Sequence, residues 1–278
     1  MALIIDGKAY SQKVEQELKE RVEAIKKKGG RTPVLATILV GDNPASITYV
    51  RMKGNACTRI GMTSLKVEMK EDTTTEGLLK KIEELNKNPD VCGILLQHPV
   101  PKQINEQVCF NAIAPEKDVD GVNTASFGLM AMGLPAFKSA TPLAVLSLLK
   151  HYDIQIAGKE AAVIGRSAIL GKPVAALLLN ENATVTVAHS KTVNLPEVVR
   201  RADIVVAAVG KPLFVQADWI KEGAVLVDAG YNKGNIGDID MENCASRSSA
   251  YTPVPGGVGP VTIAMLMKQT VEAAERFL

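Results

Sequence analysis

Apolar residues recur along the chain in two alternating rhythms, which predict strands and helices that follow one another almost throughout. Between Lys8 and Lys28 they are spaced three or four apart, at Val14, Leu18, Val22 and Ile25. This spacing places them on one face of a helix. Val34 to Val40 is instead a continuous, β-branched-rich run, which predicts a buried strand. Alternation of this kind is typical of an α/β fold with parallel sheets.

The alternation continues to Gln97. Asn43 and Pro44 begin a helix that we expect to end near Ile60, because asparagine caps helices and proline suits the first helical position. A strand, a helix and a buried strand follow, at Leu65–Met69, Thr75–Lys87 and Val91–Leu96. From Gln97 to about Pro135 the chain is rich in Pro, Gly, Asn and Asp, which predicts loops with short helices. Loops beyond strand ends are where α/β proteins place ligands.

A second alternation begins near Lys138, where we place a domain boundary. Its predicted helices are Pro142–Tyr152, Pro173–Leu179 and Pro196–Arg201, and its predicted strands are Ala161–Ile164, Thr184–Ala188, Ile204–Val209 and Ala224–Asp228. The segment from Thr252 to Pro260 is too rich in Pro and Gly for regular structure, and a last helix is predicted from about Val261 to Phe277. We expect that helix to return to the first domain, because the second sheet is complete before it.

Composition narrows the function classes. Among 278 residues, 32 Lys and Arg nearly balance 30 Asp and Glu, which excludes the large basic surface of nucleic-acid-binding proteins. Neither a membrane-spanning apolar run nor a secretion signal is visible in the sequence. The four cysteines form no CxxC pair, and the three histidines lack metal-ligand spacing. We therefore expect reduced thiols, a cytoplasmic location and no metal site.

The segment from Ala161 to Pro173 predicts a site for a dinucleotide phosphate. A buried strand runs into a turn with Gly165 and Gly171 and then into a helix. Glycines let the backbone approach a pyrophosphate, and the helix N-terminus offers free N–H groups. The turn departs from G-x-G-x-x-G, since Ser167 stands at the middle position. An ordinary strand-to-helix turn is therefore the alternative.

The residues around this turn favour NADP over NAD. The next predicted strand ends at His189-Ser190-Lys191, without the carboxylate that NAD-preferring folds place near the ribose hydroxyls. Arg166 lies in the turn itself. A guanidinium and a hydroxyl can bind a 2′-phosphate, which a carboxylate would repel. The alternative is that Arg166 and Lys191 are solvated surface charges.

A polar stripe lies on the helix after Pro44. Ser46, Tyr49 and Lys53 are spaced three and four apart and share one face, beside a core stripe that we expect to include Ile47. A lysine near the mouth of a sheet would have its pKa lowered by partial burial, toward the range useful for proton transfer. The alternative is that the stripe is the solvated edge of an amphipathic helix.

Three further features favour a binding site. Gln97 closes a buried strand, where its amide can orient a neighbouring group. Asp120 lies in an acidic turn, and a carboxylate can accept two parallel N–H bonds from a heterocycle edge. The Pro-Gly-Gly segment at 255–257 adds exposed backbone donors and acceptors. Together with the polar stripe, these residues describe a site for a nitrogen heterocycle.

Six motifs, in order along the chain, resemble those of the bifunctional methylenetetrahydrofolate dehydrogenase/methenyltetrahydrofolate cyclohydrolase family. They are SITYVRMK from Ser46 to Lys53, GILLQHPVP from Gly93 to Pro101, PEKDVDG from Pro115 to Gly121, GRSAILGKP from Gly165 to Pro173, HSKT from His189 to Thr192, and PVPGGVGPVT from Pro253 to Thr262. The resemblance is collinear from about Gly7 to the C-terminus.

The resemblance implies two α/β domains with a cleft between them. The first would be a three-layer α/β catalytic and folate-binding domain, residues 1–137, joined by the C-terminal helix 260–278. The second would be a Rossmann-like NADP-binding domain, residues 138–259. The implied reaction is oxidation of methylenetetrahydrofolate to methenyltetrahydrofolate with NADP, followed by hydrolysis to formyltetrahydrofolate. The family also implies a homodimer.

The resemblance further implies roles for individual residues. Lys53 would be the acid/base of the cyclohydrolase step, supported by Gln97, with Tyr49 and Asp120 completing the catalytic set. The implied folate-binding residues are Ser46, Tyr49, Asp120, Pro255, Gly256, Gly257 and Gly259. The implied NADP-binding residues are Gly165, Arg166, Ser167, Gly171, Pro173, His189, Ser190 and Tyr231.

The chain also departs from the family pattern. His98 stands where leucine is usual, Ser139-Ala140 replaces Pro-Cys before Thr141, and Tyr231 replaces isoleucine. Two alternatives to the bifunctional enzyme stay open here. A monofunctional NADP-dependent dehydrogenase would leave Lys53 and Gln97 without a purpose, and a non-catalytic nucleotide-binding module would leave the whole polar set unexplained.

Overall fold

Within residues 2–276, which the computed structural model describes, nine strands form two parallel sheets. In chain order the elements are β1 (Leu3–Ile4), α1 (Gly7–Lys27), β2 (Val34–Val40), α2 (Pro44–Arg59), β3 (Thr63–Met69), α3 (Thr75–Lys87), β4 (Gly93–Leu96), α4 (Glu106–Ala112), α5 (Thr124–Ala131), α6 (Ala140–His151), β5 (Glu160–Ile164), α7 (Gly171–Asn180), β6 (Thr184–Ala188), α8 (Leu195–Arg201), β7 (Ile204–Ala207), β8 (Ala224–Asp228), α9 (Met241–Cys244), β9 (Ser248–Tyr251) and α10 (Val258–Glu275). The expected α/β fold with parallel sheets is confirmed.

The chain divides into two units, each built around one sheet. The three-stranded unit comprises Gln12–Ala140 and the residues from Ile263 onward, and its strand order is β3-β2-β4. The six-stranded unit comprises Thr141–Thr262 and the residues up to Ser11, and its strand order is β1-β9-β8-β7-β5-β6.

The core of the three-stranded unit follows the apolar periodicity of its helices. The predicted stripe of α1, from Val14 to Ile25, is buried, as are Leu78, Ile82 and Leu85 of α3. The central strand β2 contributes the fully buried Leu35 and Ile38. Apolar residues at helical spacing and a middle strand that is apolar except for Thr37 therefore form this core.

The six-stranded unit has a Rossmann-like arrangement. The chain leaves β5 through α7 to β6 on one side, and then returns through α8 to β7 on the other side of β5. The strand order therefore reverses at β5, and the carboxyl ends of the strands around such a reversal are where open α/β sheets bind ligands. Gly165 and the turn into α7 lie at that end of β5.

The edge of the six-stranded sheet differs from our expectation. Two strands were not predicted: β9, which pairs with β8, and β1, which pairs with β9. The N-terminal residues therefore belong to the six-stranded unit, whereas we had assigned all of 1–137 to the first domain. A two-residue strand and the sequence Ser-Ser-Ala-Tyr carry no apolar alternation, so their pairing depends on the backbone alone.

The last helix begins earlier than expected. We predicted irregular structure through Pro260, but α10 starts at Val258. Proline is tolerated there because the N–H groups of a first helical turn have no partner within the helix. The predicted end of this helix, Phe277, lies outside the described residues.

No helix among residues 2–276 is long and apolar enough to cross a membrane. Cys57, Cys92, Cys109 and Cys244 are buried free thiols.

Candidate active site

The polar stripe of α2 begins at a well-capped helix start. The Oδ1 atom of Asn43 accepts the backbone N–H groups of Ala45 and Ser46, at 3.0 and 3.1 Å, and Pro44 is the first helical residue, as predicted. Ser46 is buried, and Tyr49 and Lys53 are half-buried. Ile47, which we expected in the core, is 39% exposed.

Lys53 lies beside Gln97. The backbone N–H of Gln97 donates to the carbonyl of Ile38 at 2.9 Å, which extends the pairing between β4 and β2 by one residue. The Gln97 side chain is 7% exposed, and its Oε1 accepts a 2.9 Å hydrogen bond from Nζ of Lys53. The predicted juxtaposition of a lysine and a strand-end amide is therefore present.

Two charged residues of the acidic turn have structural partners. The ammonium of Lys117 donates to the carbonyls of Leu85, Asn86 and Asn88, at the end of α3, where a helix has free carbonyls. The carboxylate of Asp118 accepts the backbone N–H groups of Val122 and Asn123, at 3.1 and 2.9 Å. These two charges hold the turn in place.

The backbone on both sides of Asp120 is fixed by contacts of Val119 and Gly121. Gly121 has φ of +61°, and a Cβ on it would lie 2.2 Å from the carbonyl carbon of Lys138. Ser139 Oγ donates to the Gly121 carbonyl at 2.7 Å, and Gln269 Nε2 donates to the Val119 carbonyl at 2.7 Å. Among the described residues, no hydrogen bond is made to the Asp120 carboxylate.

Lys53 and Asp120 shift each other's ionisation. Burial lowers the pKa of Lys53, and the charge of Asp120 partly opposes this. Burial also raises the pKa of Asp120 to about 6, against the attraction of Lys53 and His98. An amine with a lowered pKa beside a carboxylate with a raised pKa is suited to proton transfer near neutral pH.

A second candidate site lies within the six-stranded unit, at the carboxyl end of β5. A pocket of about 470 Å³ is lined there by Gly165, Arg166, His189 and Ser190, among other residues. Its charged lining side chains are cationic, and no carboxylate lines it. Such a pocket suits a phosphate-bearing ligand.

The glycines of the β5–α7 turn allow close backbone approach. Gly165 has φ of +128°, and a Cβ on it would lie 2.2 Å from the carbonyl oxygen of Ala208. A Cβ on Gly171 would lie 2.3 Å from the carbonyl oxygen of Gly165. The Oγ of Ser167 accepts the Gly171 N–H at 3.2 Å. Gly171 therefore packs the start of α7 against the turn, where only a residue without a side chain fits.

The remaining predicted residues lie elsewhere. Ser167, Gly171, Pro173 and Tyr231 do not line the pocket, and Pro173 is buried within α7. Gly256 and Gly257 form part of the loop between β9 and α10, in the six-stranded unit. The Gly256 carbonyl accepts the N–H of Lys8 at 2.8 Å.

Models of one family match nearly the whole chain. Residues 5–120 match the catalytic domain of tetrahydrofolate dehydrogenase/cyclohydrolase, and residues 139–278 match its NAD(P)-binding domain. The chain belongs to the tetrahydrofolate dehydrogenase/cyclohydrolase family. One curated relative, "Bifunctional protein FolD" of Cellvibrio japonicus, is 63% identical over 275 residues, covering 99% of this chain and 98% of that protein.

Solved structures of the family have the same fold. The bifunctional FolD enzyme of Campylobacter jejuni is 45% identical, with a TM-score of 0.98 over 100% of both chains. The Trypanosoma brucei methylenetetrahydrofolate dehydrogenase-cyclohydrolase, solved with NADP and an inhibitor, is 37% identical, with a TM-score of 0.96 over 99% of this chain and 98% of that one.

The structure adds residues that our sequence reasoning missed. Lys211 and Phe214, which follow β7, also line the pocket, and the ammonium of Lys211 lies 5.5 Å from the centre of the Phe214 ring. Their position in the sequence could have indicated them, because they follow the strand next to β5, where the strand order reverses. In the three-stranded unit, Nδ1 of His98 lies 2.7 Å from Oε1 of Glu106, a pair that no spacing rule predicts.

No metal centre was found in the part of the chain that the structure describes. Within residues 2–276, no group of three or more His, Cys, Asp or Glu side chains is arranged to hold a metal ion.

Proposed function

We propose that this chain is an NADP-dependent methylenetetrahydrofolate dehydrogenase that also hydrolyses the methenyl product to formyltetrahydrofolate. The observation that carries the proposal is the 2.9 Å hydrogen bond between Lys53 and Gln97, in the electrostatic field of Asp120. Membership of the family and the bifunctional description of the Cellvibrio japonicus relative support it. The function belongs to the one-carbon interconversions of folate.

The pocket at β5 fits NADP. Arg166 and Ser190 supply a guanidinium and a hydroxyl, the groups that can bind a 2′-phosphate, and no carboxylate is present in the lining to repel it. We propose that the backbone of Gly165 and the neighbouring turn approaches the dinucleotide phosphates. Ser167, Gly171 and Pro173 would support that turn. His189 and Tyr231 complete the proposed set. NADP, when bound, accepts a hydride from the methylene bridge of the folate.

Lys53 is the proposed acid/base of the hydrolytic step. Attack of water on the methenyl carbon requires removal of a proton, and opening of the bridge requires delivery of a proton to nitrogen. An amine whose pKa is lowered by burial can do both in turn. Gln97 holds Nζ of Lys53 in place without titrating itself.

Asp120 is the proposed anchor of the pterin ring. Its carboxylate can accept two parallel N–H bonds, and Lys117 and Asp118 keep the turn rigid around it. The further residues that we assign to folate binding are Ser46, Tyr49, the loop residues Pro255, Gly256 and Gly257, and Gly259 in the first turn of α10.

Three organisational features are part of the proposal. The catalytic domain is 1–137 with 260–278, and the NADP-binding domain is 138–259, although the first strand pairs within the six-stranded sheet. The chain forms a homodimer. It works in the cytoplasm, where the four buried thiols stay reduced.

The test is an absorbance assay with methylenetetrahydrofolate and either NADP or NAD. We expect methenyltetrahydrofolate to form faster with NADP, and its decay to be accelerated by the enzyme. Formation without accelerated decay would show a monofunctional dehydrogenase. Dinucleotide binding without formation would show a non-catalytic nucleotide-binding module.

A further inference from the structure

His98 connects the end of β4 to the start of α4. Its backbone carbonyl accepts a 2.7 Å hydrogen bond from the Nε2 of Gln97. Its ring Nδ1 lies 2.7 Å from Oε1 of Glu106, the first residue of α4. The residue next to Gln97 is therefore held at both its backbone and its side chain.

The backbone contact determines which end of the Gln97 amide faces Lys53. The amide has one acceptor oxygen and one donor nitrogen. Because Nε2 donates to the His98 carbonyl, Oε1 is left to accept from Lys53 at 2.9 Å. The reversed amide would bring a donor against the Lys53 ammonium and leave the His98 carbonyl facing an oxygen.

The imidazole of His98 also acts electrostatically on Asp120. The charged groups that act on His98 among the described residues are Glu106 and Asp120. The hydrogen bond to Glu106 raises the pKa of His98, burial opposes this, and the charges of Glu106 and Asp120 add to the increase. In turn, His98 and Lys53 both favour the ionised form of Asp120.

One further titratable group lies near this pair. Cys109 of α4 is affected by the charge of Glu106, but burial is the main reason that its pKa is raised, to about 11. The thiol is therefore neutral at physiological pH and adds no charge beside Glu106.

We propose that the His98–Glu106 pair is a positioning element of the hydrolytic site: it holds the Gln97 amide toward Lys53 and fixes a protonatable imidazole whose positive charge acts on Asp120. The inference rests on the proposed function, because Asp120 must be ionised to bind the pterin ring. His98 is not itself placed to touch the reacting atoms, and its effect passes through Gln97 and Asp120.

The experiment compares His98→Leu, His98→Gln and Glu106→Gln with the wild type. The KM and kcat for methenyltetrahydrofolate hydrolysis are measured from about pH 5.5 to about pH 8.5, the range in which an imidazole titrates. As the pH is lowered, we expect activity to fall off earlier in all three variants than in the wild type. The midpoint of this fall should lie about half a pH unit higher, as expected for the loss of a partly screened unit charge. The shift should be in KM more than in kcat.

The matched control is His151→Leu, which changes a histidine of the six-stranded unit that stacks on Tyr10. Its acid limb should coincide with that of the wild type. A His98→Leu limb that also coincides with it would overturn the inference. If His98→Gln has the same acid-side pH profile as the wild type, an uncharged hydrogen-bonding side chain is sufficient at this position. That result would overturn the role of the imidazolium charge.

Proton NMR tests the pair without any catalysis. The chain has only three histidines, so the His98 resonance is identified by its loss in His98→Leu. We expect its titration midpoint to fall in Glu106→Gln, and an unchanged midpoint would overturn the pair. A wild type that does not hydrolyse methenyltetrahydrofolate would instead overturn the proposed function, while this titration still tests the pair.

Discussion

The ammonium of Lys53 donates a 2.9 Å hydrogen bond to Oε1 of Gln97, although the two residues are 44 positions apart. Sheet topology brings them together, because β4 pairs with β2 and α2 follows β2 directly. Gln97, the residue that follows β4, thus lies beside the helix that starts after β2. Lys53 is held on a helix and Gln97 at the end of a strand, and such fixed placement is what acid/base catalysis requires.

Lys53→Gln should abolish methenyl hydrolysis and preserve NADP binding. Loss of a positioned acid/base group lowers the rate by about 100-fold or more. The variant should be no less stable than the wild type, because burial disfavours the charged amine that is removed. The measurements are the decay of methenyl absorbance, an NADP titration and urea unfolding.

The control is Lys66→Gln, which changes a lysine of the same unit that is paired with Glu68 on the surface. It should hydrolyse the methenyl substrate at the wild-type rate. A Lys53→Gln enzyme with an undiminished hydrolytic rate would remove the acid/base assignment.

Asp118 and Asp120, two residues apart, should respond differently to substitution. Asp118→Ala leaves the N–H groups of Val122 and Asn123 without their acceptor, at a cost of about 1–3 kcal/mol of unfolding free energy. Asp120→Asn should be no less stable than the wild type, because burial disfavours its ionised form, but should lose folate affinity by about 10- to 100-fold. Urea unfolding and folate KM separate the two. Equal losses of stability would argue against a binding role for Asp120.

Regular elements were predictable where the apolar pattern is strong. The bounds of α3, β6 and β8 agree with the sequence prediction. The apolar side chains of α3 and β8 are buried, on one helix face and within a sheet, whereas β6 is an edge strand with Val187 exposed. β9 was missed because Ser-Ser-Ala-Tyr has no such pattern. It is a strand because β8 and β1 present backbone groups to both of its edges, and pairing of this kind is invisible in a local sequence.

The candidate site was predictable only in part. Lys53, Gln97 and Asp120 carry chemistry that is recognisable by residue type and position. The separate roles of Lys117 and Asp118 within the acidic turn were not predicted. Lys117 binds carbonyls at the end of α3, a contact that only the tertiary structure reveals, and Asp118 binds backbone N–H groups just before α5. The His98–Glu106 pair is of the same kind.

Arg166→Ala should weaken NADP binding far more than NAD binding. A charge-assisted hydrogen bond to a phosphate contributes about 1.5–3 kcal/mol, which corresponds to a loss of roughly 10- to 150-fold. NAD lacks the 2′-phosphate and should lose little. The control is Lys172→Ala, which removes a cation of the first turn of α7 that does not line the pocket. Fluorescence titration with both dinucleotides gives the ratio, and equal weakening would show that Arg166 does not read the 2′-phosphate.

Gly171→Ala should damage the dinucleotide turn. The added Cβ would lie 2.3 Å from the Gly165 carbonyl oxygen, and overpacking against backbone costs about 1–3 kcal/mol. NADP affinity should fall with stability, because Gly165 lines the pocket. Gly128→Ala in α5 is the matched control, since its Cβ would meet nothing within 4 Å. Alanine should stabilise that helix by up to about 1 kcal/mol. Indistinguishable thermal unfolding of the two variants would contradict the close packing.

The free energy of unfolding should be higher at about pH 5.5 than at about pH 8. Burial raises the pKa of Asp118 to about 7 and of Asp120 and Asp228 to about 6, above the ordinary carboxyl value near 3.8. The pKa of His98 is also raised, chiefly by Glu106. A group whose pKa is higher in the folded state stabilises the fold below its unfolded pKa and loses that contribution as pH rises through its folded pKa.

All four groups therefore act in the same direction between about pH 5 and pH 8. The carboxylates with lowered pKa values, Glu76, Glu83 and Asp203, act at lower pH and do not oppose them in this window. Lys53 and Lys117, whose pKa values are lowered by burial, act in the opposite direction as the pH rises through their folded-state pKa values. The difference between the two pH values should be on the order of 2 kcal/mol in urea unfolding. It should shrink in Asp120→Asn, which removes one of the titrating carboxylates. A wild-type protein that gains stability from pH 5.5 to pH 8 would mean that these carboxylates are better solvated or paired than their burial implies.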